Sequence, residues 1–244
     1  MKRIRKHMLW PDTHAPYEDS RAVRLAMKVA GECDEIVLLG DFADFYAVSS
    51  HSKDPNRARL LDLEVEHVNG LLDKLGKLGK PVTYCEGNHE NRLTRYLSDR
   101  APELFNMVRA EALFRIKERG WKWVPYMRSH KIGRLHVTHD VGHAGDRAHS
   151  QSRAGCEGNI AIGHTHRLAV EYVGNLKGSS HVGAMLGWLG DRKHIDYIHT
   201  VKSAPWQLGF GVVYEDTALR HAHLAPVPII DYTCVVDGKL YEVR

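Results

Sequence analysis

The sequence predicts an α/β fold, and three observations carry that expectation. Short apolar runs of strand length at residues 36–39, 81–85 and 159–162 close on Gly-Asp, Glu-Gly-Asn and Gly-His turns. A long amphipathic stretch at 57–78 has Leu61, Val65, Val68, Leu72 and Leu75 at steps of four and three, a helical stripe. Asp12 and Asp41 stand about 30 residues apart, the length of one strand–helix–strand unit.

Each element follows from local pattern. Met8-Leu9-Trp10 is an apolar run that ends in Pro-Asp-Thr-His, and residues 21–32 read as a helix carrying Val23, Leu25, Met27 and Val29. Residues 36–39 form a buried strand closed by Gly40-Asp41. The 57–78 helix spans too few heptads for a coiled coil, so it is expected to pack on a sheet. Residues 81–85 form a third strand, and a helix is expected at 103–119, after Pro102. Residues 121–126 read as an edge strand, and 134–138 alternate up to His139. A helix at 145–156 leads into the strand at 159–162, closed by Gly-His-Thr-His. Beyond Arg167 the pattern becomes short strands between glycine turns, at 169–173, 208–214, 218–225 and 229–236. A βαβα half followed by a mostly β half, without linker or repeat, predicts a single domain over residues 1–244.

Composition narrows the function classes. Hydrophobic residues are 43% and charged residues 26%, enough to bury a core and incompatible with a disordered or collagen-like chain. A net charge of +4 permits an anionic ligand but does not demand nucleic acid. No window approaches the roughly 18 apolar residues of a membrane span, and the basic first ten residues lack the apolar stretch of a secretion signal. The four cysteines include no C-x-x-C pair, which disfavours a zinc ribbon or redox dithiol and fits a reducing cytoplasm. Histidine is abundant at 17 residues, which turns attention to metal and proton chemistry.

Five strand readings end in a residue able to bind metal: Asp12, Asp41, Asn88, His139 and His164. Open α/β sheets bind ligands beyond the carboxyl ends of their strands, so residues far apart in sequence can converge there. Singly, each reads as a turn or cap residue. As a series, extended by Asp12-x-His14 and His164-x-His166, they read as a metal site.

Asp12-Thr-His14, Gly40-Asp41-Phe-Ala-Asp44, Gly87-Asn88-His89-Glu90, His139 and Gly163-His164-Thr-His166 together resemble the ordered motifs of the calcineurin-like metallophosphoesterases. Trp206-Gln-Leu-Gly-Phe is also similar to a segment of phage-type members. The resemblance implies a four-layer αββα sandwich, two mixed β-sheets flanked by helices. It implies a phosphoesterase with two divalent ions, one held by Asp12, His14 and His166 and the other by Asn88, His139 and His164, with Asp41 bridging. The ions would lie ~3.5–4 Å apart and share a hydroxide nucleophile. Imidazole, carboxylate and amide donors without thiolate favour Mn, with Fe, Ni or Zn as alternatives.

The resemblance also makes His89 the proton donor to the leaving oxygen and Asp44 its orienting acid, although Asp44 could equally cap a helix. Arg92 could bind phosphate through both guanidinium arms, or pair with Glu90 or Asp99 on a helix surface. Asp140 stands where members often have Gly, so His143 is an alternative to His139 as ligand and a candidate substrate contact. Phe45 replaces the arginine of the phosphoprotein phosphatases, which argues against that branch. His51, His143, His149, His181 and His194 lie in Gly- or Ser-rich stretches suited to substrate contacts or plain exposure. Trp188, Trp206 and Phe210 could stack a base or belong to the core.

The expected substrate is a phosphodiester, phosphomonoester or nucleotide. A DNA or RNA nuclease is the alternative, disfavoured by the absence of an arginine-rich run. A non-catalytic metal-binding scaffold is the alternative of another class, disfavoured by the presence of His89. No membrane partner is expected.

Overall fold

The computed structural model describes residues 3–50, 60–194 and 205–244. The chain runs β1 (Ile4–Trp10), α1 (Ser20–Ala30), β2 (Glu35–Leu38), α2 (Leu61–Gly76), β3 (Val82–Cys85), α3 (Glu90–Arg100) and a 3-10 turn at Pro102–Leu104. Next come α4 (Phe105–Val108), α5 (Ala110–Leu113), β4 (Lys122–Val124), β5 (His130–Ile132), β6 (Leu135–Thr138), α6 (Ala148–Cys156) and β7 (Asn159–Ile162). The β-rich remainder is β8 (Leu168–Gly174), β9 (Ser180–Leu186), β10 (Gly209–Asp216), β11 (His221–Pro228), β12 (Thr233–Val236) and β13 (Lys239–Glu242).

Two mixed sheets form the centre. One has the order β11-β10-β1-β2-β3-β4, and the other β5-β6-β7-β9-β8. Strands β1 to β4 run parallel, as do β6, β7 and β9, while the flanking strands are antiparallel. Alternation along each strand sets the layers. Leu9, Val37, Leu39 and Cys85 face Leu135, Val137, Ala161 and Ala184 across the inter-sheet core. Met8, Trp10, Ile36, Leu38 and Tyr84 point the other way, onto Leu25 and Val29 of α1, Val68 and Leu72 of α2, and Leu93 and Leu97 of α3. Ala148 of α6 covers Ile160, Ile162 and Met185 on the far side of the second sheet. The result is the αββα sandwich, and each buried Val, Leu or Ile contributes about 1.5–3 kcal/mol.

The expected helix at 103–119 breaks up. Arg109 is extended (ψ 152°) between α4 and α5, and Arg115 is left-handed (φ 52°). Phe114 and Ile116 are both buried, at 0% and 1% exposure, a spacing of two that no helix face provides. The pattern hid α3, whose stripe of Glu90, Leu93 and Leu97 lies among polar residues. The expected strand at 229–236 starts only at Thr233, because Asp231 and Tyr232 are left-handed. Strand β4 lies at the sheet edge as expected. Cys33, Cys85 and Cys234 are buried free thiols and Cys156 an exposed one. Among the described residues no helix is long and apolar enough to cross a membrane.

Asp19 starts α1 and ties the C-terminal hairpin to it. Its Oδ1 accepts from the Arg21 and Ala22 amides (2.9 and 3.0 Å), and its Oδ2 accepts from the Tyr232 hydroxyl (2.8 Å). Arg21 lies 3.4 Å from the Tyr232 ring centroid. Asp19→Ala should therefore lower unfolding free energy by about 1–2 kcal/mol. Urea titration checks this, and an unchanged midpoint contradicts the cap.

Candidate metal centre

Loops at the carboxyl ends of strands from both sheets converge on one place. Asp12 and His14 follow β1, Asp41 and Asp44 follow β2, and Asn88 and His89 join β3 to α3. His139 follows β6, and His164 and His166 follow β7. His14, Asp41, His164 and His166 have left-handed backbone, with φ of 53°, 47°, 65° and 56°. Each such conformation costs a non-glycine residue about 1–2 kcal/mol, so packing and hydrogen bonds must hold these turns.

Two glycines let the loops touch. A Cβ on Gly87 would stand 2.3 Å from the Asp41 amide nitrogen and Oδ1, and one on Gly163 would stand 2.5 Å from Asp12 Oδ2. Glu90, buried at the start of α3, supplies the tie. Its carboxylate accepts from the amides of Asp41, Phe42, Ala43 and Gly87 (2.9, 2.8, 3.0 and 2.9 Å) and from the Tyr84 hydroxyl (2.7 Å). Burial and Asp41 push the Glu90 pKa up, while the donors favour its charge. Sequence reasoning gave Glu90 no such role; its signal was an acid immediately after Gly-Asn-His, in the first turn of a helix.

The metal-capable atoms form overlapping groups, each within 4.8 Å: Asp12, His14 and His166; His14, Asp41 and His89; and Asp41, His139 and His164. Asn88 joins the last group, its Oδ1 lying 2.8 Å from both His139 Nε2 and His164 Nδ1. His14 Nε2 and His166 Nε2 face each other at 3.0 Å. Asp41 Oδ2 lies 3.3, 3.7 and 4.0 Å from Nε2 of His139, His89 and His14. Asp12 accepts from the His164 amide and lies 3.4 Å from His166 Nε2. Ring nitrogens crowded around carboxylates in a buried space are a donor set for borderline divalent ions.

The electrostatics fit such a set. Burial, with His89 and His166 adding to it, holds His14 at about 3, so its ring is a neutral base. Burial also opposes charge on His139, but Asp41 outweighs it and pushes the ring up to about 10. His139 Nδ1 donates to the Leu39 carbonyl (2.9 Å), leaving Nε2 aimed at Asp41 and Asn88. Asp41 itself is held well below the usual carboxylate range against burial, by His139 and His89.

His89 Nδ1 donates to the Asp44 carbonyl (2.9 Å) and Oδ1 (3.1 Å). Burial disfavours its charge, yet Asp41 and Asp44 raise its pKa. Asp44 is held at about 2 against burial, by His89 first. Arg92 reaches the same place: it donates to His89 Nε2 (2.8 Å) and to the Asp44 carbonyl (3.0 Å), and it pairs with neither Glu90 nor Asp99.

The other candidates separate. His143 belongs to none of the donor groups and lies beside Gly155 of α6. His149 is on α6, His181 is on β9, and His194 stands beside the Tyr17 ring. His51 lies outside the described residues. Trp188 stacks on His166 (4.9 Å, 15°) and Trp206 meets it edge-on (4.5 Å, 82°), whereas Phe210 is core.

Residues 6–184 match the calcineurin-like phosphoesterase superfamily domain. The Gene 54 proteins of Mycobacterium phages L5 and D29 are each 28% identical over 256 residues, covering 95% of this chain and 96% of theirs. The crystal structure of TT1561 of Thermus thermophilus aligns with 91% of this chain and 99% of its own at 11% identity, with a TM-score of 0.41. The domain match spans most of the sequence and includes every residue of the gathered donor set, so this chain belongs to the calcineurin-like phosphoesterase superfamily and is a metal-dependent hydrolase of phosphate esters.

Proposed function

We propose that the chain hydrolyses a small phosphodiester, phosphomonoester or nucleotide at a centre of two divalent ions that share Asp41. The observation supporting this reading is that Asp41 stands in one donor group with His139 and His164 and in another with His14, which also belongs to the group of Asp12 and His166. In this reading Asp12, His14 and His166 hold one ion, and Asn88, His139 and His164 hold the other. Mn suits the mixed nitrogen and oxygen donors best. Such ions, when bound, supply Lewis-acid charge to the phosphate oxygens and make hydroxide available near neutral pH.

The side chains around them supply the rest. His89 protonates the leaving oxygen from Nε2, the nitrogen left free of Asp44. Asp44 fixes the ring and favours its protonated form. Arg92, within reach of both, meets the phosphate when substrate displaces it from His89 Nε2. Family membership favours this enzyme reading over an interaction scaffold.

Exhaustive chelation should abolish hydrolysis of a chromogenic phosphodiester, and Mn should restore it better than Mg or Ca. Full activity in protein shown metal-free by elemental analysis contradicts the reading. Faster degradation of end-labelled duplex DNA, with a steep salt dependence, would transfer it to a nuclease.

His89→Ala should keep near-normal metal content and lose turnover by about 10²–10⁴-fold, the range for general acid–base catalysis. Elemental analysis beside the kinetic assay decides it. Loss of metal instead makes His89 a ligand.

A further inference from the structure

A recess lies beside the donor set. Glu86, Asn91, Thr94, Phe105, Trp123 and Tyr126 line a cavity of about 360 Å³, within the size range of small-molecule sites. It shares a loop with the metal centre, because Glu86 and Asn91 bracket Asn88, His89 and Glu90. From another side, burial and the charge of Asp140 raise the pKa of the Tyr126 hydroxyl, and Asp140 Oδ2 is 3.9 Å from His139 Nε2.

The walls are flat and the rim is polar. Trp123 lies with one face against Tyr84 (4.9 Å, 27°) and, like Phe105 and Tyr126, remains half-buried. Glu86 is buried and, among the described residues, accepts from the Tyr126 amide (3.0 Å) and, at longer range, the Thr94 hydroxyl (3.4 Å). Burial pushes the Glu86 carboxyl up to about 7, so above that pH it is an acceptor with about four positions and keeps capacity for incoming donors. Asn91 adds an amide to the same lining.

Aromatic faces take a planar ring, and an acceptor carboxylate at the edge selects one that carries N–H donors. Guanine presents two adjacent donors, at N1 and N2, to the two oxygens of one carboxylate. Adenine presents its amino group beside an acceptor nitrogen, which a carboxylate repels. We propose that this cavity binds the nucleobase of the substrate, guanine best, so that the substrate is a nucleotide. The proposal rests on the phosphoesterase reading for its catalytic meaning, but the binding it asserts needs no phosphate.

Guanosine is therefore the probe, titrated above pH 8, where Glu86 is ionised, into the full-length Mn-loaded protein by calorimetry and saturation-transfer NMR. Guanosine should bind about tenfold more tightly than adenosine. Glu86→Gln and Phe105→Leu should each weaken it by about tenfold, the scale of one lost base contact. Trp123→Leu should do the same, and because Trp123 also supports Tyr84, the half-exposed Phe105 is the deciding variant if that protein fails to fold. Guanosine binding no tighter than ribose, or unchanged in both Glu86→Gln and Phe105→Leu, overturns the proposal. Hydrolysis of a base-free chromogenic diester is measured in parallel on the wild type. Its absence beside intact guanosine binding counts against hydrolysis of small base-free esters and supports a substrate held by its base.

Discussion

The Glu90 carboxylate is the contact on which the site depends. Asp41 and Asn88 come from loops after neighbouring strands, and parallel pairing of β2 with β3 alone would leave the amides of those loops without partners. Glu90 collects three amides from the first loop, one from the second and the hydroxyl of Tyr84. Hydrogen bonds to a charged acceptor are worth about 1.5–3 kcal/mol each, and each buried amide left unpaired costs about 1–3 kcal/mol. The same tie holds Asp41 in left-handed backbone, with its Oδ1 accepting from the His89 amide at 2.8 Å. The carboxylate thus sets where the central acid points, and through the His89 amide it sets where α3 begins.

Around this tie the charges are balanced rather than diluted. Asp12 and Asp41 are buried among imidazoles, with His166 Nε2 3.4 Å from Asp12 and His139 Nε2 3.3 Å from Asp41. Buried carboxylates are expensive unless paired, and the ring nitrogens gathered around these two make a donor set suited to a divalent ion. Left-handed turns at four of the gathered residues add strain that an ordinary loop would relax. These costs fall within one small region at the strand ends, while the rest of the sandwich is held by ordinary apolar packing. His139 shows the division of labour: its Nδ1 is committed to the Leu39 carbonyl so that its Nε2 is aimed.

Much of this was legible in the sequence because strand ends announce themselves. Gly40-Asp41, Gly87-Asn88 and Gly163-His164 combine a turn residue with a polar side chain after an apolar run, and the structure brings all three to one point. What was not legible depended on tertiary contacts. Helix α3 carries only a thin apolar stripe, and its first residue faces the core as a charged group. The helix expected at 103–119 lost to the burial of Phe114 and Ile116, a demand that no local periodicity reveals. Strand β9 was hidden by Gly183 within it and Gly187 beyond it. Spacing offered Glu90 or Asp99 as partner of Arg92, whereas the structure pairs it with Asp44, because the loop after β2 comes over α3.

The central claim of the proposed function is that one carboxylate, Asp41, would be shared by two ions. Crystals grown with Mn and measured above and below the Mn absorption edge test it most directly. Two anomalous peaks are expected, one within bonding distance of Asp12, His14 and His166 and one of Asn88, His139 and His164, with Asp41 contacting both. A single fully occupied peak at saturating Mn, or two peaks of which only one touches Asp41, would contradict it.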